Sequence, residues 1–364
     1  MKLSDLIEHF EKLAPSSLQE TYDNSGLQIG SATKEVTKGL ICLDVTPEVV
    51  EEAIAIGCDL IITHHPLIFG GLKKITGATA SQRVILEAIK NNIAIYSIHT
   101  NLDSISGGTN SMLGQRLGLS NLRILKPTKG LLRKLVTFCP QNETEEVRNA
   151  IFEAGAGVIG KYDCCSFNIE GKGSFRGGDD TNQFVGVKGE LHFEPEMRIE
   201  TILPYYLVPK VVSAMIEAHP YEEVAYDVYP LDNVFAEVGP GMIGILQIPL
   251  SECDFMNLLK NKLHSPCIRH TRLKGNTIKK VAFCGGAGAF LLNDAIAAGA
   301  DAYVTADLKY HQFFEAEDKI LLIDAGHYET EQFAKELLYD VVSKKFSNFA
   351  LSISKVHTNP VNYF

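Results

Sequence analysis

Residues 3–13 (LSDLIEHFEKL) set Leu3, Leu6, Ile7, Phe10 and Leu13 on one helical face with charge opposite, which predicts an amphipathic helix. Short unbroken apolar runs follow. Residues 39–44 (GLICLD), 59–63 (DLIIT) and 93–98 (IAIYSI) lack polar alternation and read as strands buried on both faces. Between them, residues 47–56 and 81–91 carry helical spacing. Strands alternating with helices predict a parallel sheet covered on both sides. From about residue 235 the grammar returns. Residues 280–284 (KVAFC), 302–305 (AYVT) and 320–324 (ILLID) read as strands, and 291–298 and 330–346 as helices.

The two segments also match residue by residue. At an offset of 242, AIAIGCDLIITHH (53–65) falls on AIAAGADAYVTAD (295–307) with six identities in thirteen positions. Ala53, Ile54, Ala55, Gly57, Asp59 and Thr63 meet Ala295, Ile296, Ala297, Gly299, Asp301 and Thr305, and Cys42 meets Cys284. This reads as an internal duplication whose strand ends meet at one cleft. Residues 128–234 have a different texture, with predicted elements in the order β-α-β-β-α-β, a ferredoxin-like pattern around a Gly-rich centre (Gly171, Gly173, Gly177, Gly178). The expected architecture is α/β: duplicated parallel-type sheet halves flanked by helices, residues 1–127 and 235–364, with an inserted ferredoxin-like α+β domain at 128–234.

The chain has 364 residues, 45% of them hydrophobic and 21% charged, which excludes a disordered or fibrous protein. The formal net charge of −10 argues against DNA or any other phosphate backbone as a partner, unless a basic inner surface exists. No apolar run of ~18 residues predicts a membrane span, and no leader-like segment opens the sequence, so the cytoplasm is the expected location. The eight cysteines form no C-x-x-C pair; scattered core thiols are the simplest reading, with the vicinal Cys164-Cys165 a candidate redox device.

Three clusters carry metal-ligand chemistry. Thr63-His64-His65-Pro66 follows the strand DLIIT, His99-Thr100-Asn101-Leu102-Asp103 follows IAIYSI, and Gly326-His327-Tyr328-Glu329-Thr330-Glu331 follows ILLID. Ligands of open parallel sheets bind beyond the carboxyl ends of strands. His327 and Glu331, four apart, share one face of a helix that begins near Gly326. Imidazoles with carboxylates and no thiolate suit Zn, Fe or Mn. A bridging carboxylate such as Glu331 would hold two cations ~3.5–4 Å apart. The turn Cys284-Gly285-Gly286-Ala287-Gly288 is either a phosphate cradle, with Gly286 and Gly288 as substrate-binding residues, or a tight turn only. Asp307, Lys309 and His311, and the polar residues from Tyr22 to Gln28, either line the cleft or form solvated turns. His219 to Glu223 reads as a structured turn.

These clusters resemble the dinuclear-metal-centre hexameric proteins, also named GTP cyclohydrolase type 2 homologues, the Nif-three-like family. The resemblance is carried by YDNSGLQIG, THHPLIF, SIHTNLD, FCGGAGAF and GHYETE in the outer segments, and by AHPYEEVAYDVYPL in a middle that looks like the CutA/PII-like insert of longer bacterial members. It implies a toroidal homohexamer with metal sites facing an internal cavity. It also implies His64, His65, Asp103, His327 and Glu331 as ligands of two divalent ions per subunit, with His99 beside them for proton transfer. The implied activity is metal-dependent hydrolysis of a nucleotide or related heterocycle through metal-bound hydroxide. The alternative is a non-catalytic metal-binding, metal-chaperone or regulatory hexamer.

Overall fold

The unbroken apolar runs fold as strands whose residues are almost all buried. In the computed structural model, which describes residues 1–364, Lys38–Cys42, Leu60–Thr63 and Ala94–Ser97 pair in parallel. Thr277–Phe283, Ala302–Thr305 and Leu321–Asp324 do the same later in the chain. Leu60–Thr63 and Ala302–Thr305 have no solvent-facing residue at all, which is why their sequences do not alternate. Fully buried Ile61, Ile62, Val304 and Ile323 each contribute roughly 1.5–3 kcal/mol of transfer free energy.

The chain divides into two compact units: residues 1–126 with 237–364, and residues 127–236. In the first unit the duplication extends to the pairing register. Gly39, Leu40 and Ile41 face Leu60, Ile61 and Ile62; at the same offset of 242, Val281, Ala282 and Phe283 face Ala302, Tyr303 and Val304. A side-chain clamp repeats too. The Asp59 carboxylate accepts from the Thr37 and Lys38 amides, and the Asp301 carboxylate accepts from Lys279 and Lys280.

Each sheet departs from the purely parallel expectation at its edges. The first sheet adds Gly26–Ile29, antiparallel, and takes Ala350–Ile353 from the far end of the chain. The second adds Met242–Ser251 and Arg269–His270, both antiparallel, and takes Leu119–Ile124 from the first segment. The sheets therefore end on short edge strands: Gly26–Ile29 and Ala350–Ile353 in the first, Arg269–His270 and Leu119–Ile124 in the second. The exchange interlocks the halves. The helix expected at 330–346 is two helices, His327–Glu331 and Ala334–Lys345, and Phe333 between them is buried in the core with the Arg116 guanidinium 3.4 Å from its ring centroid.

The second unit orders its strands Tyr226–Pro230, Leu132–Pro140, His192–Pro204, Ser166–Phe175, all antiparallel. That is the ferredoxin-like order. The helices Thr144–Glu153 and Val208–Ala218 cover one face, packing Val147, Ile151, Val211 and Met215 on Leu135, Cys139, Ile199 and Leu203. All eight cysteines of the chain are free thiols.

Candidate metal centre

Thr63 is the last residue of its strand, and its hydroxyl donates to the carbonyls of Leu43 and His65, turning the chain so that consecutive imidazoles enter one cleft. The His64 and His65 ring centroids lie 5.0 Å apart. His99, after the next strand, packs edge-on to both at 5.3 and 5.2 Å. His327 approaches His65 from the second half at 5.3 Å. Ligating atoms gather within 4.8 Å of one another in three overlapping groups: His64, His65 and His99; His65, His327 and Glu331; His64, Asp103 and Glu331. All five expected ligands and His99 therefore share one cleft, and Glu331 belongs to two of the groups.

A second set of contacts sets the tautomers. The Nδ1 atoms bond outward: His64 to the Ile98 carbonyl at 2.9 Å, His65 to Asp44 at 2.7 Å, His99 to Asp23 at 2.8 Å, His327 to Asp307 at 2.7 Å. Each Nε2 is thereby left for the cleft. His65 and His327 both direct Nε2 at the same Glu331 oxygen, each at 2.9 Å. His64 Nε2 is buried, has no hydrogen-bond partner, and stands 3.5 Å from Asp103. An imidazole with Nδ1–H donated and a buried, orphaned Nε2 presents a bare lone pair, which is the form a divalent cation takes.

The charges follow. Burial pushes the His64 imidazole down to about 3, helped by the neighbouring His65, and keeps it neutral. Burial would depress His65 as well, but bonds to Asp44 and Glu331 hold it up at about 10. His327, against the same burial, is raised to about 11 by Glu331 and Asp307. Glu331 stays well below the carboxylate range: His327 and His65 overcome its burial. Asp103 moves up, through burial and then the Glu331 charge. A divalent cation would displace the two imidazole protons shared with Glu331 and relieve the crowding of carboxylates.

The glycine turn does something other than cradle phosphate. The Gly286 and Gly288 amides donate to the hydroxyls of Thr330 and Thr305, so they are not free for an anion. Gly286 instead makes room. Its φ is +59°, and a Cβ there would lie 2.2 Å from Glu331 Oε1. Of the residues left open by the sequence, Asp23 and Asp307 reach the site as partners of His99 and His327. Asp44 had no signal beyond its place at the end of an apolar strand.

The profile of the family described as Duf34/NIF3 (NGG1p interacting factor 3) matches residues 1–360. A relative from Halalkalibacterium halodurans named GTP cyclohydrolase 1 type 2 homolog is 40% identical over 363 residues, spanning 98% of this chain and 98% of its own. A Bacillus subtilis protein of the same name is 38% identical over 371 residues, spanning 98% and 97%. A crystal structure of a Bacillus cereus protein related to NIF3 aligns with a TM-score of 0.88 at 41% identity, covering 100% of this chain and 99% of its own.

Proposed function

The chain belongs to the Duf34/NIF3 family, and from that premise we propose that the cleft holds two divalent cations and serves metal-dependent hydrolysis of a nucleotide or related heterocycle. In this reading His64, Asp103 and Glu331 would hold one cation and His65, His327 and Glu331 the other. Zn, Fe or Mn would supply Lewis acidity there and acidify water. The chain's own residues do the rest. Asp44 and Asp307 orient His65 and His327. His99, oriented by Asp23, carries a proton at Nε2 to or from the substrate. Asp23 suits that work, since its bonds to His99 and Thr100 outweigh burial and hold its carboxyl well below the usual range. The reading includes a homohexameric toroid whose sites face the inner cavity.

The orphaned Nε2 of His64 carries this reading. The test is elemental analysis of the purified chain, then depletion assays on GTP and related heterocycles with wild type and Glu331→Ala. The reading expects metal and turnover to be lost together. Full turnover by a metal-free variant would reject it. Metal loading with no turnover on any compound would reject hydrolysis and leave a metal-binding protein. Light scattering of the intact protein tests the hexamer.

A further inference from the structure

The second unit contains a cavity that the metal site does not use. It has a volume of about 550 Å³, within the range of small-molecule sites, and lies on the sheet face opposite the two helices. The aromatic rings of Phe138, Phe175, Phe184 and Tyr221 form its walls, and Glu196 stands among them.

Glu196 is 9% exposed, yet no Lys, Arg or His lies within ion-pair distance of it. Its Oε1 accepts from the Tyr221 hydroxyl at 2.9 Å, and Oε2 has no hydrogen-bond donor. The nearby cations are committed elsewhere. Arg198 pairs with Glu200 at 2.8 Å, lying over the Phe138 ring. His192 pairs with Glu194 at 2.7 Å. Lys172 lies 5.0 Å over the Phe193 ring. His219 is used at both nitrogens, by the Phe138 carbonyl and the Tyr221 amide, and burial lowers its pKa, so it stays neutral. The lining holds Glu170, Glu196, Glu222 and Glu223 against Lys172, Arg176 and Arg198, so acids outnumber bases by one.

Gly173 permits this arrangement. A Cβ at that position would lie 2.1 Å from Glu196 Oε2, so only glycine lets the carboxylate lean across the neighbouring strand. One carboxylate oxygen thus takes the phenol hydroxyl, and the other is open to the cavity as an acceptor for the N–H groups of a cation. Aromatic faces attract cations. We propose that this cavity binds a small organic cation, a primary ammonium or guanidinium on an apolar body, with its N–H groups on Glu196 and its body among the rings.

The test uses the full chain, with phenethylamine and agmatine as probes and phenethyl alcohol as the uncharged isostere, read by calorimetry and saturation-transfer NMR. Glu196→Gln keeps the shape and the Tyr221 bond but removes the charge. Cation binding should weaken at least about tenfold in E196Q, and the alcohol should bind wild type at least about tenfold more weakly than the amine. Phe184→Ala, on the loop, should weaken binding with the thermal midpoint unchanged, and it serves if E196Q does not fold. Metal content should be the same in all three proteins, which separates this result from the fate of the hydrolase reading. Absence of saturable binding by either cation, equal binding of the alcohol, or undiminished binding by folded E196Q or F184A would overturn the proposal.

Discussion

Beyond Leu60–Thr63 the chain continues into His64 and His65; beyond Ala302–Thr305, at the equivalent place, it continues into Ala306 and Asp307. The partners are exchanged as well. In the first half the strand end supplies the imidazole, His65, and the preceding strand's end supplies the carboxylate, Asp44. In the second half the strand end supplies the carboxylate, Asp307, and a helix supplies the imidazole, His327. Gly286 occupies the place of Asp44 and admits Glu331 instead. The skeleton was retained down to the clamps at Asp59 and Asp301, while the strand ends diverged. Core strands are held by burial and backbone bonds that tolerate few changes. Residues just past a strand are outside the ladder of backbone bonds, so even where they are buried, as His64 and Ala306 are, their identity can change without unpairing the sheet. The halves also differ in access: His64 is fully buried, whereas the His327 side chain is 38% exposed.

The comparison breaks first at Glu331, the group that both proposed ion positions would share. Glu331→Gln should weaken binding of both cations by more than about a hundredfold, measured by equilibrium dialysis with elemental analysis. Retention of one cation at wild-type affinity would mean the halves do not meet there. Next comes separation. His64→Ala and His327→Ala should each lose one cation and keep the other, and H327A should recover its cation when imidazole is added because its position is open to solvent. Loss of both cations in either histidine variant would show that the halves act as one.

The outer carboxylates sharpen the comparison further. Asp44→Asn and Asp307→Asn should each lower affinity by roughly 10–100-fold, with D307N at the smaller end because its side chain is the more exposed, 54% against 35%. The smallest effect separates skeleton from site. Gly57→Ala, at φ +72° with open space around it, should cost about 1–2 kcal/mol in chemical denaturation and leave metal binding intact. Gly286→Ala should show a similar stability loss together with lost metal, because its new methyl displaces Glu331. Equal metal content in the two would refute the role given to Gly286.

Much of the candidate site was legible in the sequence because histidines and carboxylates stand directly after apolar strand segments, and a strand's end is a local property. His64, His65, His99, Asp103, His327 and Glu331 all follow that rule, and the structure brings them together. Gly286 and Gly288 did not behave as an anion cradle, since glycine spacing does not reveal that Thr330 and Thr305 already accept those amides. Glu196 left no trace at all. An acidic residue in a strand reads as solvent-facing until a distant tyrosine and a glycine-rich loop enclose it.

Local pattern by itself determined the strand segments, the helices between them, the repeat at a fixed offset and the residue types at the strand ends, because burial periodicity and turn chemistry act over a few neighbouring residues. The tertiary structure alone decided which half lends a strand to the other, which aspartate receives each imidazole N–H, and which nitrogen faces the cleft. Those outcomes depend on contacts such as His65 with Glu331 and Thr358 with Asp44, 266 and 314 residues apart. Contacts at that separation cannot be read from neighbouring residues, and in a buried cleft every unpaired polar atom is costly, so the few compatible partners are selected.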